Sequence, residues 1–256
     1  MTTTDNLPYL LFIHGFPLDR SMWQPQLDGL ADVAHVIAPN LPGFGGVPAT
    51  EPTTTMDAMA DACAAALDEA GARTAVICGL SMGGYVALAF WRRHRERVGG
   101  LVLANTRAGA DDAAGRERRS ALAERVRREG VEFLAAAPPP LFSAHAPFEL
   151  YEWARKTIAA QPPEGVAAGS LGMGARPNAT DLLASIDVPT LVITGSDDTL
   201  IPPDATREMA DSILVSDFRV IEGAGHLSNL EAPAAFNELL RRHLHRCGAV
   251  SIRRSQ

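Results

Sequence analysis

A serine flanked by glycines is the strongest chemical signal in this chain of 256 residues. The segment Gly79-Leu80-Ser81-Met82-Gly83-Gly84 follows an apolar run that predicts a strand and precedes a run that predicts a helix. A serine at such a strand-to-helix turn is exposed above the sheet, and the flanking glycines let other backbone approach it closely. The positive end of the helix also points at any oxyanion formed there. The pattern therefore predicts that Ser81 is a nucleophile.

A serine hydroxyl needs a general base to become a good nucleophile. His226 is the candidate, because it lies in a glycine-rich loop between the last predicted strand and the C-terminal helix. The other histidines lie in a strand, in arginine-rich helices or in the helical middle of the chain. His14 follows the first strand and is predicted to be a structural residue of that turn.

The base in turn needs a carboxylate that holds its tautomer and stabilises the imidazolium. Asp197 and Asp198 both follow the predicted strand at 189–194. The Gly-x-x-Asp spacing from Gly195 favours Asp198 over Asp197. The other strand end that could supply the acid carries Asn105, which has no charge. Asp198 is therefore predicted to be the third member of a catalytic triad.

Two backbone N–H groups are expected to form an oxyanion hole. Met82 follows the nucleophile directly and supplies one donor, and Phe16, in the loop after the first strand, supplies the other. Gly15 allows the backbone of that loop to approach the nucleophile.

Short apolar runs predict strands at 9–13, 33–38, 74–78, 98–104, 189–194 and 218–221, and most of them are apolar throughout. Such runs are typical of a parallel sheet that is covered on both faces. Helical patterns between them indicate an open α/β sheet. Residues 106–187 contain no strand-like run, but a charged helix at 115–130, a helix around 148–160 and a segment rich in proline and glycine. This stretch predicts a helical cap over one edge of the sheet.

Composition and charge exclude several classes of protein. The net charge of −7 argues against nucleic-acid binding, which requires a clustered positive field. No apolar run approaches the ~20 residues that cross a bilayer, and Met1 to Pro8 lacks the layout of a signal peptide. The three cysteines have no C-x-x-C spacing, so no zinc site or redox pair is expected. The sequence predicts a cytoplasmic protein without nucleic-acid or membrane partners, and it carries no signal for an oligomeric state.

Three motifs carry a family resemblance: His14-Gly15-Phe16-Pro17-Leu18-Asp19, the glycine–serine motif at 79–84, and Gly225-His226-Leu227-Ser228-Asn229-Leu230-Glu231. With the chain order serine, aspartate, histidine, the sequence from about residue 8 to residue 244 resembles the α/β-hydrolase superfamily. Within it, the motifs look most like 3-oxoadipate enol-lactonase-like hydrolases and small carboxylesterases. The resemblance implies an α/β-hydrolase fold with a mostly parallel sheet, shortened to about six strands. Residues 1–105 and 188–256 would form the core, and 106–187 the cap.

These residues predict a serine hydrolase that cleaves a small-molecule carboxylic ester or lactone through an acyl-enzyme, without a metal or an organic cofactor. Short to medium acyl groups are expected, acyl-homoserine lactones among them. Four alternatives stay open: a 3-oxoadipate enol-lactonase, a cofactor-free haloperoxidase or perhydrolase, a carbon–carbon bond hydrolase, and a ligand receptor on a hydrolase fold.

The substrate pocket is expected to be apolar, with candidate contacts from Trp23, Phe142, Trp153 and Met173. A substrate with a carboxylate would need a cation, which Arg107, Arg155 or Arg176 could supply. The charged run from 116 to 128 is predicted to be a solvated helix face. Apolar substrates are therefore favoured.

Overall fold

The short apolar runs form the strands of one parallel sheet in this computed structural model, which describes residues 7–50 and 52–254. The strands are β1 (Tyr9–Ile13), β2 (His35–Ile37), β3 (Ala75–Leu80), β4 (Val98–Ala104), β5 (Thr190–Gly195) and β6 (Ser216–Ile221). Their order across the sheet is β2-β1-β3-β4-β5-β6, and every neighbouring pair is parallel. The predicted fold class, with a sheet of six strands, is confirmed. Of the polar segment from Met1 to Pro8, the first six residues lie outside the described part.

Helices cover both faces of the sheet. Those outside the predicted cap are α1 (Gln24–Leu30), α2 (Met56–Glu69), α3 (Met82–Arg93), α9 (Pro203–Asp211), α10 (Ser228–Glu231) and α11 (Pro233–Arg254). Side chains alternate along a strand, so β1 contributes to both faces. Leu11 and Ile13 pack in one apolar cluster with α2 and α3, whereas Leu10 and Phe12 pack in another with α1 and α11. This double burial explains why β1 is apolar at every position.

The chain between β4 and β5 folds as helices in the described structure. They are α4 (Ala113–Glu129), α5 (Glu132–Ala136), α6 (Phe148–Ala159), α7 (Pro163–Ala175) and α8 (Thr180–Leu183). The helix α7 lies within the segment that is rich in proline and glycine. Its glycines are there for packing: a Cβ at Gly165 would collide with the carbonyl of Gly43, and one at Gly172 with the carbonyl of Thr54. The absence of side chains at these two glycines lets α7 lie directly on the chain that follows β2.

The strand order brings distant parts of the sequence together at one edge. In a parallel sheet all strands end on the same side, and loops that follow adjacent strands are neighbours. Ser81 follows β3, Asn105 follows β4, and Asp198 lies shortly after β5. Because β3, β4, β5 and β6 are consecutive across the sheet, these residues and the loop after β6 meet at that edge. This is the edge at which the candidate site lies.

Candidate active site

Ser81 adopts a strained backbone conformation between β3 and α3. Its φ of 58° and ψ of −116° lie where side-chain-bearing residues are rarely found. The glycines around it have no room for a side chain, since a Cβ at Gly79 would collide with the carbonyl of Gly83, and one at Gly83 with the carbonyl of Ile13. This crowding produces the sharp turn that the glycine–serine motif predicted. Ser81 lines a cavity above the edge of the sheet.

His226 and Asp198 form a buried hydrogen-bonded pair. The ring nitrogen Nδ1 of His226 lies 2.8 Å from Oδ2 of Asp198. The other carboxylate oxygen of Asp198 accepts the N–H groups of Leu200 and Ile201, each at 2.9 Å. Burial by itself would raise the pKa of Asp198, but hydrogen bonds from His226 and its other donors lower that pKa below its usual value. The arrangement keeps Asp198 ionised and leaves Nε2 of His226 as the nitrogen that can accept a proton.

Asp197, the competing acid, lies on the surface. Its side chain is exposed and accepts a hydrogen bond from Oγ of Ser196 at 2.8 Å. A carboxylate in that position is solvated and has no hydrogen bond to a histidine among the described contacts. The geometry therefore pairs Asp198, and not Asp197, with His226.

Asn105 supports the same carboxylate, a role that the sequence reasoning missed. Its Nδ2 donates to Oδ2 of Asp198 at 2.9 Å, and its Oδ1 accepts from Oγ of Ser228 at 2.6 Å. Its backbone has a φ of 47°, a left-handed conformation that asparagine tolerates better than most residues. Sheet position is the signal that could have identified Asn105. It follows β4, and β4 is the neighbour of β5, so Asn105 lies beside the loop that carries Asp198.

A short clasp joins the loop of His226 to the chain between β4 and β5. The carboxylate of Glu231 accepts the N–H of Gly225 at 2.7 Å and that of Ser143 at 3.0 Å. Beside it, the N–H of Leu227 donates to the carbonyl of Leu141 at 2.8 Å. The loop that carries His226 is thus bonded directly to a segment of the predicted cap.

The two expected oxyanion donors lie in suitable local structure. Met82 is the first residue of α3, so its N–H has no acceptor within the helix. Phe16 and the cis-linked Pro17 line the same cavity as Ser81. His14 holds the loop in shape, because its Nδ1 donates to the carbonyl of Gly15 and its Nε2 accepts the N–H of Leu41, both at 3.0 Å. Burial lowers the pKa of His14 to about 4, so it stays neutral.

The cavity above Ser81 has a volume of about 520 Å³. Of the four predicted substrate contacts, only Met173 lines it. Trp23 is fully buried under the sheet, where it stacks on Phe12 with ring centroids 4.6 Å apart. Phe142 packs edge-on against Tyr151, and Trp153 is half-buried against the same apolar cluster. These three aromatic residues are therefore placed in packing positions, away from the cavity wall.

Two of the three arginines considered as cations lie near the cavity. Arg107 lines it and is half-buried. Arg176 lies behind the wall, with its guanidinium 4.0 Å from the ring centroid of Tyr85. Arg155 is exposed and pairs with Glu152 at 3.6 Å, so it takes no part in the cavity.

One face of α4 also reaches the cavity. Arg118, Arg119 and Leu122 line it, whereas the sequence predicts a solvated helix face for the charged run from 116 to 128. A helix with so little apolar patterning gives no sequence signal for which side faces the protein. The packing of α4 against α7 determines which side of α4 faces the protein.

The described residues hold neither a cluster suited to a metal ion nor a helix suited to a bilayer. No group of three His, Cys, Asp or Glu side chains in that part of the chain comes together in a way that could hold a metal ion. Within the same residues, none of the helices is long and apolar enough to cross a membrane.

Comparisons with known proteins agree with this fold. A thermophilic esterase from Thermogutta terrifontis, solved with malate bound, is 45% identical, with a TM-score of 0.90 over 94% of this chain and 90% of that one. The enol-lactonase from Burkholderia xenovorans is 27% identical, with a TM-score of 0.86 over 94% and 92% of the two chains. In sequence, 3-oxoadipate enol-lactonase 1 from Acinetobacter baylyi is 30% identical over 92% of this chain and 88% of its own length.

These similarities confirm the predicted class, hydrolases of carboxylic esters and lactones, at the level of the family. The profile described as alpha/beta hydrolase fold matches residues 8–233, which is most of the chain. The chain belongs to the alpha/beta hydrolase fold family.

Proposed function

We propose that this protein hydrolyses a small-molecule carboxylic ester or lactone by the acyl-enzyme route of a serine hydrolase. Ser81 is the nucleophile, His226 is the general base, and Asp198 orients the histidine. The N–H groups of Phe16 and Met82 bind the oxyanion. The observation that carries the proposal is the 2.8 Å hydrogen bond from His226 to Asp198, at a cavity that Ser81 and His226 both line.

The reaction proceeds in two halves. First, Nε2 of His226 takes the hydroxyl proton of Ser81 while Oγ bonds to the carbonyl carbon. The tetrahedral intermediate then collapses, the carbon–oxygen bond to the alcohol breaks, and His226 returns the proton to the leaving oxygen. In the second half, His226 deprotonates a water molecule that attacks the acyl-enzyme. The acid is released and Ser81 regains its proton, so the chemistry needs no metal and no organic cofactor.

The substrate class is supported by the relatives and by the size of the cavity. The relatives are named as esterases and enol-lactonases, and a lactone is a cyclic ester that the same steps open. A volume of about 520 Å³ suits a small molecule, in keeping with a short to medium acyl group. The cytoplasmic setting stays a prediction from the sequence.

The test is turnover of p-nitrophenyl esters from acetyl to dodecanoyl, with Ser81→Ala alongside. We expect steady turnover by the native protein and a loss of at least ~10³-fold in kcat for Ser81→Ala, with an unchanged circular dichroism spectrum. The chain-length optimum then measures the acyl pocket. Equal turnover by both proteins would refute Ser81 as the nucleophile.

Further substrates separate the remaining alternatives. Folded protein that turns over neither p-nitrophenyl esters nor lactones would contradict the proposal. Peroxide-dependent bromination with acetate would then identify a haloperoxidase, and cleavage of a 1,3-diketone a carbon–carbon hydrolase. A single labelling event without turnover would favour a ligand receptor.

A further inference from the structure

The cavity wall carries a charge opposite to that of the whole chain. The protein has a net charge of −7, yet Arg107, Arg118 and Arg119 line the cavity. Among the described residues, no aspartate or glutamate lines it. Clefts walled by one sign of charge raise the local concentration of ligands of the opposite sign.

One buried carboxylate binds two of these arginines, Arg107 and Arg119, together with Arg176 behind the wall. Asp111 accepts from Arg107 at 2.6 Å, from Arg119 at 3.2 Å and from Arg176 at 2.9 Å. Burial by itself would raise the pKa of Asp111, but hydrogen bonds and charge from Arg176 and Arg119 lower that pKa to about 2. Three guanidinium groups therefore share a single negative charge, and the cluster keeps a positive excess.

Some of the arginines are held by hydrogen bonds to the protein, whereas others have donors that can bind a ligand. Arg176 is buried, and its guanidinium also donates to the carbonyls of Met173 and Gly109. Arg118 is exposed at the cavity and has no hydrogen bond or ion pair within the described part of the chain. Its donors are free to meet a ligand in the same cavity that the half-exposed guanidinium of Arg107 lines.

We infer that the substrate carries a carboxylate away from the scissile bond, and that Arg118 binds this group together with Arg107 and Arg119. The inference rests on the proposed function, since it assigns the far end of the same ester or lactone. A guanidinium matches the two oxygens of a carboxylate in a planar, charge-assisted pair. Leu122 and Met173 line the same cavity and cover the apolar chain between the two ends. This substrate class replaces the neutral, apolar one favoured by the sequence.

Binding to Ser81→Ala tests the inference without turnover. The ligands are the monomethyl esters of straight-chain dicarboxylic acids from succinate to suberate, each paired with the ester in which a carboxamide replaces the free carboxylate. Calorimetry is expected to show at least ~10-fold tighter binding of the best carboxylate ester than of its carboxamide partner, and the preference should shrink as salt is raised. Equal affinity across every pair would overturn the inference.

Charge reversal at Arg118 tests the residue assignment. In the Ser81→Ala background, Arg118→Glu is expected to reduce the carboxylate-to-carboxamide affinity ratio by at least ~10-fold. The matched control is Arg128→Glu on the same helix, which is exposed, pairs with Glu129 and does not line the cavity. Equal effects of the two reversals, or an unchanged ratio for Arg118→Glu, would contradict the assignment.

Turnover by the native protein separates the two hypotheses. Hydrolysis of the same paired esters is followed by titration of the released acid. Turnover that depends on Ser81 but ignores the carboxylate supports the proposed function and overturns this inference. A carboxylate preference in binding, without any turnover by the native protein, supports carboxylate binding at Arg118 and contradicts the proposed function.

Discussion

Replacing Asp198 by asparagine is the sharpest test of the proposed charge arrangement. Oδ1 of Asp198 faces the N–H groups of Leu200 and Ile201, and Oδ2 faces Nδ1 of His226 and Nδ2 of Asn105. In the asparagine variant the amide oxygen takes the place of Oδ1, because it can still accept the two backbone N–H groups. The NH₂ group therefore takes the place of Oδ2. The N–H bonds of this NH₂ group then point at Nδ1 of His226 and Nδ2 of Asn105. Both nitrogens are donors that need an acceptor at this position.

The histidine resolves this conflict by changing its tautomer. Nδ1 becomes the acceptor and Nε2 carries the proton, so His226 cannot take the proton of Ser81. In triads of this kind the loss in kcat is about 10⁴-fold, which corresponds to about 5 kcal/mol of activation free energy. KM should change little, because Asp198 is buried below the cavity and is not among the residues that line it.

The assay is turnover of the best p-nitrophenyl ester, with kcat and KM determined separately. Asp197→Asn is the matched control, because it removes the same charge from the adjacent residue. Asp197 is exposed and bonds to Ser196, so we expect a change within about threefold. Equal losses from the two substitutions, or a larger loss from Asp197→Asn, would refute the assignment of the acid.

Three further predictions address the residues around the pair. Asn105→Ala removes a donor to Asp198 and should lower kcat by about tenfold at unchanged KM, as measured with the same ester. Glu231→Gln should weaken the clasp and raise amide hydrogen exchange at Gly225 and Ser143 by about tenfold, as measured by mass spectrometry. Burial lowers the pKa of His243 to about 4, so the unfolded chain binds a proton below pH 6.5 that the folded protein does not. As the pH falls from 6.5 to about 4, the free energy of unfolding of His243→Gln should therefore decrease less than that of the native protein. The difference should reach up to about 3 kcal/mol, measured by chemical unfolding.

Each of these predictions has a contradicting outcome. A raised KM with unchanged kcat for Asn105→Ala would show that Asn105 does not act through Asp198. Unchanged exchange in Glu231→Gln would show that the clasp bonds add nothing to the order of the loop. The control for His243 is His145→Gln, because His145 is exposed. Identical pH profiles for both histidine variants would contradict the burial argument.

The sheet and the residues at its edge could be predicted because both depend on local patterns. Each strand is a short apolar run, and the six predicted runs overlap β1 to β6. Parallel topology then places the residues after β3 and β5 at one edge without any knowledge of side-chain packing. That logic also placed Asn105 at this edge, but the sequence argument considered only whether it could carry a charge. Its amide hydrogen bond to Asp198 became visible only with the positions of both side chains.

The cavity wall could not be predicted in the same way, because it depends on how helices pack. The glycines of α7 disfavour a helix in isolation, and two of them are explained by the close approach of Gly165 to Gly43 and of Gly172 to Thr54. Arg118 and Arg119 belong to a charged helix whose pattern does not reveal its inner face. The position of Trp23 near the predicted oxyanion loop favours a substrate contact, but it is equally compatible with the core position that Trp23 occupies.

The proposed catalytic residues and the proposed carboxylate site lie in different parts of the molecule, yet hydrogen bonds link these parts. Asp198 is fixed by strand-end loops, whereas Arg118 depends on the position of α4 in the helical segment. That segment is also bonded to the loop of His226, through Glu231 to Ser143 and through Leu227 to the carbonyl of Leu141. Leu141 itself lines the cavity. The cavity wall and the loop that carries the proposed general base are therefore hydrogen-bonded to each other, so we expect the charge of the substrate to affect kcat as well as KM in the turnover of the paired esters.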